Sequence, residues 1–298
     1  MSIRGSLTAL VTPMNEDSSI DYESLKDLIN FQIDSGIDGI VAVGTTGESA
    51  TIDFEDHIKL IEFFVKESDS RVPIIAGTGA NSTEEAITLT KAAQNVGADA
   101  ALLVSPYYNK PPQDGILKHY LKIADEVQIP QILYNVPSRT ASFIDPSTVS
   151  KLAKHENIIG IKDATGEMKN LEDLKNLCKS EIDSGEFLLY SGDDFTFLEF
   201  LNLGGHGTIS VTSNIVPAIV SKICKLAEIN FSEAQALEES LKELNELLFS
   251  ESNPIPVKWA LYKMGLINRG IRLPLIEIND KFKKPLETCL NALGLLDE

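Results

Sequence analysis

The amino-acid sequence predicts an α/β fold, a (β/α)8 TIM barrel with a C-terminal helical extension, and three observations carry that prediction. Short apolar runs rich in Val, Ile and Leu recur along the chain. Amphipathic stretches of helical spacing lie between them. The alternation occurs eight times before residue 230. Near-continuous apolar strands alternating with helices imply a parallel sheet covered on its outer face. Eight such units suit a closed barrel better than an open doubly wound sheet, and no nucleotide-binding fingerprint supports the open alternative.

Each element follows from local pattern. The first strand is expected at 7–12, where Leu7-Thr8-Ala9-Leu10-Val11 is apolar and Pro13 ends the run. A helix follows at 22–34, because Leu25, Leu28, Ile29 and Ile33 fall on one face. The other strands are expected at 39–44, 72–77, 100–105, 131–136, 158–162, 187–191 and 207–211. Helices are expected at 53–68, 82–95, 113–126, 145–154, 170–180, 195–203 and 215–229, several of them opened by cap signals such as Asn81-Ser82-Thr83-Glu84 and Asp145-Pro146. Beyond these the strand pattern stops. Helices are expected at 231–249, 257–264 and 280–293, with Asn253-Pro254-Ile255-Pro256 breaking the chain between the first two. The length of 298 residues is enough for two domains at about 150 residues each. We divide the chain into a catalytic barrel, 1–229, and a helical domain, 230–298.

Composition removes several classes of function. Lys and Arg number 26 against 44 Asp and Glu, a formal charge of −18, and no basic tract relieves it. Nucleic acid and anionic membrane surfaces both need Lys/Arg-rich faces, so neither is an expected partner. No apolar run is long enough to span a bilayer, and Thr12, Pro13 and Asn15 interrupt the N-terminal one before it forms a signal-peptide core. Cys178, Cys224 and Cys289 are odd in number and widely spaced, which argues against disulfides and against a zinc site and fits a reducing cytoplasm. His57, His119, His155 and His206 lie on separate elements without ligand spacing, and His57 is expected to face solvent. No metal and no cofactor is expected.

In barrel enzymes the reacting groups gather at the C-terminal ends of the strands. Strand 2 ends in Gly44-Thr45-Thr46-Gly47-Glu48, a tight turn whose N–H and O–H donors suit a carboxylate. The alternative is an ordinary βα turn. Strand 6 ends in Gly160-Ile161-Lys162-Asp163-Ala164-Thr165. A lysine closing an apolar strand is costly to bury as a cation, which favours a nucleophilic amine able to form a Schiff base with a carbonyl. It could instead snorkel to the rim or pair with Asp163. Strand 5 ends in Tyr134-Asn135-Val136-Pro137-Ser138-Arg139, offering a phenol for proton relay and a guanidinium for a carboxylate. Strand 4 ends in Ser105-Pro106-Tyr107-Tyr108-Asn109-Lys110, two aromatics exposed unless a subunit or ligand covers them. Strand 7 ends in Ser191-Gly192-Asp193-Asp194. The glycine cluster Gly204-Gly205-His206-Gly207 precedes strand 8, so it falls at the opposite face and is a poor phosphate site.

These segments, taken in order with Asn253-Pro254-Ile255-Pro256-Val257-Lys258-Trp259-Ala260, resemble the dihydrodipicolinate synthase family over essentially the whole chain. Gly44–Glu48 and Gly160–Thr165 are shared with the wider Schiff-base pyruvate aldolases, whereas the Thr45-Thr46 pair, Tyr108 and Arg139 together point to the synthase branch. The resemblance implies a condensation of pyruvate with aspartate semialdehyde on the route to diaminopimelate and lysine. It implies that Lys162 forms the Schiff base, that Tyr134, Thr46 and Tyr108 relay protons, and that Tyr108 reaches in from a neighbouring subunit. Thr45 and Thr46 would hold the pyruvate carboxylate, Arg139 the semialdehyde carboxylate, and Gly192 and Ile209 would line the pocket. A homotetramer built as a dimer of dimers is implied, as is a lysine-inhibition site matched here by Ser49, Ala50, His57, Asn81, Glu85 and Tyr107. Phe54 stands where lysine-sensitive members commonly carry a basic or polar side chain, so weak or absent inhibition is expected. The rival readings are a sister aldolase acting on sialic acid or a 2-keto-3-deoxy sugar acid, and a non-catalytic pyruvate-binding barrel.

Overall fold

The computed structural model describes residues 3–296. Eight strands form a closed, all-parallel barrel in sequential order: β1 (Gly5–Ala9), β2 (Gly39–Ala42), β3 (Ile74–Gly77), β4 (Ala100–Val104), β5 (Gln131–Asn135), β6 (Ile158–Asp163), β7 (Leu188–Ser191) and β8 (Gly207–Ser210). The ring closes where Leu7 and Thr8 of β1 register with Ile209 and Ser210 of β8. That pairing is why β1 starts earlier than the apolar run suggests. Its ladder begins at Gly5 opposite Gly207, while Leu10 and Val11 leave the strand and donate instead to Val41 O and Asn214 Oδ1.

The barrel helices are α1 (Tyr22–Asp34), α2 (Phe54–Ser68), α3 (Thr83–Asn95), α4 (Gln113–Glu126), α5 (Pro137–Thr140), α6 (Pro146–Leu152), α7 (Met168–Leu177), α8 (Lys179–Asp183), α9 (Phe197–Asn202) and α10 (Pro217–Leu226). Side-chain oxygens of Asp21, Asp53 and Ser82 accept from the first-turn amides of α1, α2 and α3. Each such cap is worth about 1 kcal/mol. The helix expected at 170–180 begins two residues earlier and breaks at Cys178, which is fully buried between α7 and α8.

Alternation along the strands sorts the side chains. Inward residues such as Leu7, Val41, Ile75, Leu102, Ile132, Tyr134, Tyr190 and Ile209 fill the barrel axis. Outward residues such as Leu103, Leu133, Ile161 and Leu189 pack under the helices. The C-terminal helices are α11 (Phe231–Ser240), α12 (Lys242–Leu248), α13 (Ile255–Lys263) and α14 (Asp280–Ala292). The single helix expected at 231–249 is divided at Leu241, which is fully buried. Leu244, Leu248, Val257, Leu261, Leu286 and Leu290 join one apolar cluster with Leu25, Ile29, Leu60 and Phe64 of α1 and α2. The tail is therefore packed into the barrel's own core. Among the described residues no helix is long and apolar enough to cross a membrane.

Candidate active site

The register of β5, β6 and β7 puts Tyr134, Lys162 and Tyr190 side by side, all pointing inward. Tyr190 donates its hydroxyl to Ile3 O at 2.6 Å and closes the floor. The Lys162 ammonium sits 4.4 Å from the centroid of the Tyr134 ring, and both side chains are buried. Asp163, next in sequence, points to the other face. Its carboxylate accepts from Asn135 Nδ2 at 3.0 Å, Thr165 Oγ1 at 2.7 Å and Asn170 Nδ2 at 2.9 Å. Burial raises the Asp163 pKa while these donors oppose the rise. The Lys162–Asp163 pairing open at the sequence level is thus removed by strand alternation.

Gly192 lies against the lysine stem. A Cβ there would sit 2.6 Å from Lys162 Cε and 2.9 Å from Ala164 Cβ, so only glycine leaves the amine its path. Ile209 packs in the axial cluster beside the same floor. Asp194 is structural: its Oδ2 accepts from Val211 N at 2.8 Å and Thr212 N at 3.1 Å, joining the ends of β7 and β8.

A second group forms the wall. Thr46 is buried, and its Oγ1 accepts from the side-chain amide of Asn253 at 3.0 Å. The carbonyl of Asn253 accepts from Arg139 Nη2 at 3.3 Å. One asparagine from the C-terminal segment therefore touches both the turn after β2 and the arginine after β5. Because the amide donates, the Thr46 hydroxyl keeps its own proton for another acceptor. Asn253 was not foreseen, although an Asn-Pro step breaking two helices marks a constrained position.

Thr45 and Arg139 open onto a cleft of about 580 Å³. The same cleft is lined by Ser49, Ala50, His57, Glu85 and Tyr107, and by Phe54. Asn81 is not part of this lining; its carbonyl accepts from Asn109 Nδ2 at 2.9 Å. His57 corrects an expectation: it is buried, not solvent-facing, with Nε2 2.7 Å from Gly77 O. A carbonyl only accepts, so Nε2 carries the proton, and burial holds the imidazole below its ordinary pKa. Position 57 falls on the inner face of α2 with Leu60, Ile61 and Phe64, a placement its acidic neighbour Asp56 obscured. The Tyr107 pKa is raised by burial and then by Glu85. Tyr108 is not brought to the site within its own chain. It is 89% exposed, with φ of 73°.

Glu48 and Lys258 were also missed. Glu48 lies in the left-handed region at the end of the turn, and its fully buried carboxylate is paired with the Lys258 ammonium from α13. A lone lysine inside Ile255-Pro256-Val257-Lys258-Trp259-Ala260-Leu261 was the available signal. Among the described residues no group of three His, Cys, Asp or Glu side chains is placed to hold a metal. The glycine cluster before β8 is packed: Leu189 N donates to His206 Nδ1 at 2.9 Å, and a Cβ at Gly205 would meet Phe200.

The model of the dihydrodipicolinate synthetase family matches residues 2–293. The 4-hydroxy-tetrahydrodipicolinate synthase of Alcanivorax borkumensis is 51% identical over 296 residues, covering 99% of each chain. Among solved structures, the dihydrodipicolinate synthase of Acinetobacter baumannii complexed with pyruvate superposes with a TM-score of 0.95 at 48% identity, covering 99% of this chain and 100% of that one. The enzyme from Cyanidioschyzon merolae with lysine bound gives a TM-score of 0.94 at 36% identity, covering 99% of both chains.

Proposed function

The chain belongs to the dihydrodipicolinate synthetase family, and we propose that Lys162 is the amine through which it works. The activity is that of a 4-hydroxy-tetrahydrodipicolinate synthase, an enzyme of lysine biosynthesis that condenses pyruvate with aspartate semialdehyde. The observation that carries the residue assignment is Lys162, buried at the barrel axis over the Tyr134 ring with its carboxylate neighbour turned away.

The Lys162 amine adds to the ketone of pyruvate, water leaves, and the resulting iminium acts as an electron sink. Loss of a methyl proton gives a neutral enamine, which attacks the aldehyde carbon. The alkoxide then takes a proton, and the amino group of the semialdehyde attacks the iminium carbon, closing the ring and expelling the Lys162 amine. Tyr134 and the Thr46 hydroxyl supply and remove these protons, joined by Tyr108 of a partner subunit. The donors of the Thr45-Thr46 turn hold the pyruvate carboxylate, and Arg139 takes that of the semialdehyde. The net charge of −18 belongs to the outer surface, while Lys162, Arg139 and the turn amides make the mouth locally positive. A second chain completes the site, because an 89% exposed tyrosine gains a role only from a neighbouring chain, and the assembly proposed is a dimer of dimers. Free thiols at Cys178, Cys224 and Cys289 suit a reducing cytoplasm.

Incubation with pyruvate followed by borohydride should leave a stable adduct on Lys162 alone, located by peptide mass spectrometry. An adduct elsewhere, or none, overturns the assignment. Pyruvate consumption independent of aspartate semialdehyde would move the activity to a sister aldolase.

A further inference from the structure

The turn that carries Thr45 and Thr46 is bracketed by two residues in unfavourable backbone conformations. Val43 precedes it with φ of 52°, and Glu48 closes it with φ of 61°. A β-branched residue in the left-handed region is strained and persists only where the surroundings enforce it. For Val43 the enforcement is close packing: a Cβ at Gly77 would lie 2.5 Å from Val43 O, and one at Gly47 would lie 3.0 Å from Val43 Cα.

Glu48 is enforced differently. Its backbone N–H donates to Thr45 O at 3.1 Å, which closes the turn on itself. Its carboxylate is held on both oxygens from the C-terminal segment, by the ammonium of Lys258 and by the backbone N–H of Arg272 at 3.0 Å. The Arg272 side chain is anchored in turn on Ser18 O at 3.1 Å and Thr51 O at 3.0 Å. Both Glu48 and Lys258 are almost wholly out of solvent. Burial lowers the Lys258 pKa, and the Glu48 carboxylate opposes the fall.

We propose that Lys258 is a positioning residue for the reaction. By clamping Glu48 it holds the 44–48 turn in the shape whose donors receive the carboxylate of the keto acid. A buried ion pair is weak evidence of stability, since an apolar pair of like volume often serves as well. This one instead fixes a single strained backbone geometry beside the substrate. It also gives the C-terminal helices a part in substrate binding. The inference rests on the reading of Thr45 and Thr46 given under the proposed function.

The test uses the full-length protein and three variants: Lys258→Met, the charge-free double variant Glu48→Gln/Lys258→Met, and Lys258→Arg. Circular dichroism and thermal melting establish folding. The single variant strands a buried carboxylate, so the double variant decides the matter if the single one does not fold. In either, KM for pyruvate should rise about tenfold while KM for aspartate semialdehyde stays within about twofold, because the donors of the turn are assigned to the first substrate's carboxylate. Lys258→Arg, which keeps a cation and its donors, should recover most of the pyruvate affinity. A merely structural pair would lower the melting temperature or kcat and leave both KM values alone, and that result overturns the proposal. Failure of the wild-type protein itself to trap pyruvate on Lys162 would instead overturn the underlying functional reading.

Discussion

The side-chain amide of Asn253 lies 3.0 Å from the hydroxyl of Thr46, across 207 residues of sequence, and the carbonyl of the same asparagine accepts from Arg139. The two residues assigned to the two substrate carboxylates are therefore braced by one residue from outside the barrel strands, Thr46 by its side chain and Arg139 by its backbone carbonyl. Its Oδ1 is buried without a partner in the protein, so the amide is oriented by what it donates.

Asn253→Ala removes the brace on the Thr46 rotor and keeps the backbone carbonyl that accepts from Arg139. We expect kcat to fall about tenfold, the scale of one lost hydrogen bond at about 1 kcal/mol. Steady-state kinetics measure it; an unchanged kcat would show that Thr46 needs no support.

Gly192→Ala places a methyl 2.6 Å from Lys162 Cε. Overpacking of this kind costs about 1–3 kcal/mol and is relieved here by moving the lysine. The protein should fold, with the rate of borohydride trapping reduced well below that of wild type. A normal trapping rate would mean that the amine has room to spare.

Tyr108 stands clear of its own chain, so Tyr108→Phe should leave the melting temperature unchanged. Loss of a relay proton should lower kcat by about a hundredfold. Refolding a mixture of Tyr108→Phe and Lys162→Ala chains should regenerate activity, since mixed dimers hold one intact site. No recovery would deny the shared site.

His119 is pushed down to about 4 by burial, from an ordinary value of 6.5. Because the folded pKa is the lower one, the unfolded chain binds more protons between those values. Stability is complete above pH 6.5 and is lost as pH falls toward 4, on the order of 2–3 kcal/mol from this residue. The melting temperature of His119→Gln should depend less steeply on pH across that window. An identical slope would place the acid sensitivity elsewhere.

Phe54 is half-exposed on the cleft that also holds Ser49, His57, Glu85 and Tyr107. An aromatic ring there offers no charge or hydrogen bond to a zwitterion, so we expect L-lysine at millimolar concentration to inhibit weakly or not at all. Potent inhibition in the coupled assay would overturn this.

Most of the barrel was legible because its signals are local. Apolar runs and caps such as Asp21 and Asp53 place strands and helices within a few residues, and the candidate reacting groups lie where strands end. Lys162 and Tyr134 were singled out in this way, and the structure sets them side by side. His57 was misplaced because an adjacent Asp56 suggests solvent, whereas the helical phase of Leu60 and Phe64 decides the face.

By itself, then, the sequence determined the eightfold alternation, the places of Tyr134 and Lys162 at strand ends, and the family. Only the tertiary structure decided that Asp163 turns away from Lys162, that Asn253 joins Thr46 to Arg139, and that Lys258 meets Glu48 across 210 residues. The physical reason is range. Periodicity and capping act within a turn or two of chain, while a buried hydrogen bond or ion pair requires two distant segments to be desolvated against each other. No spacing rule in one sequence records that encounter.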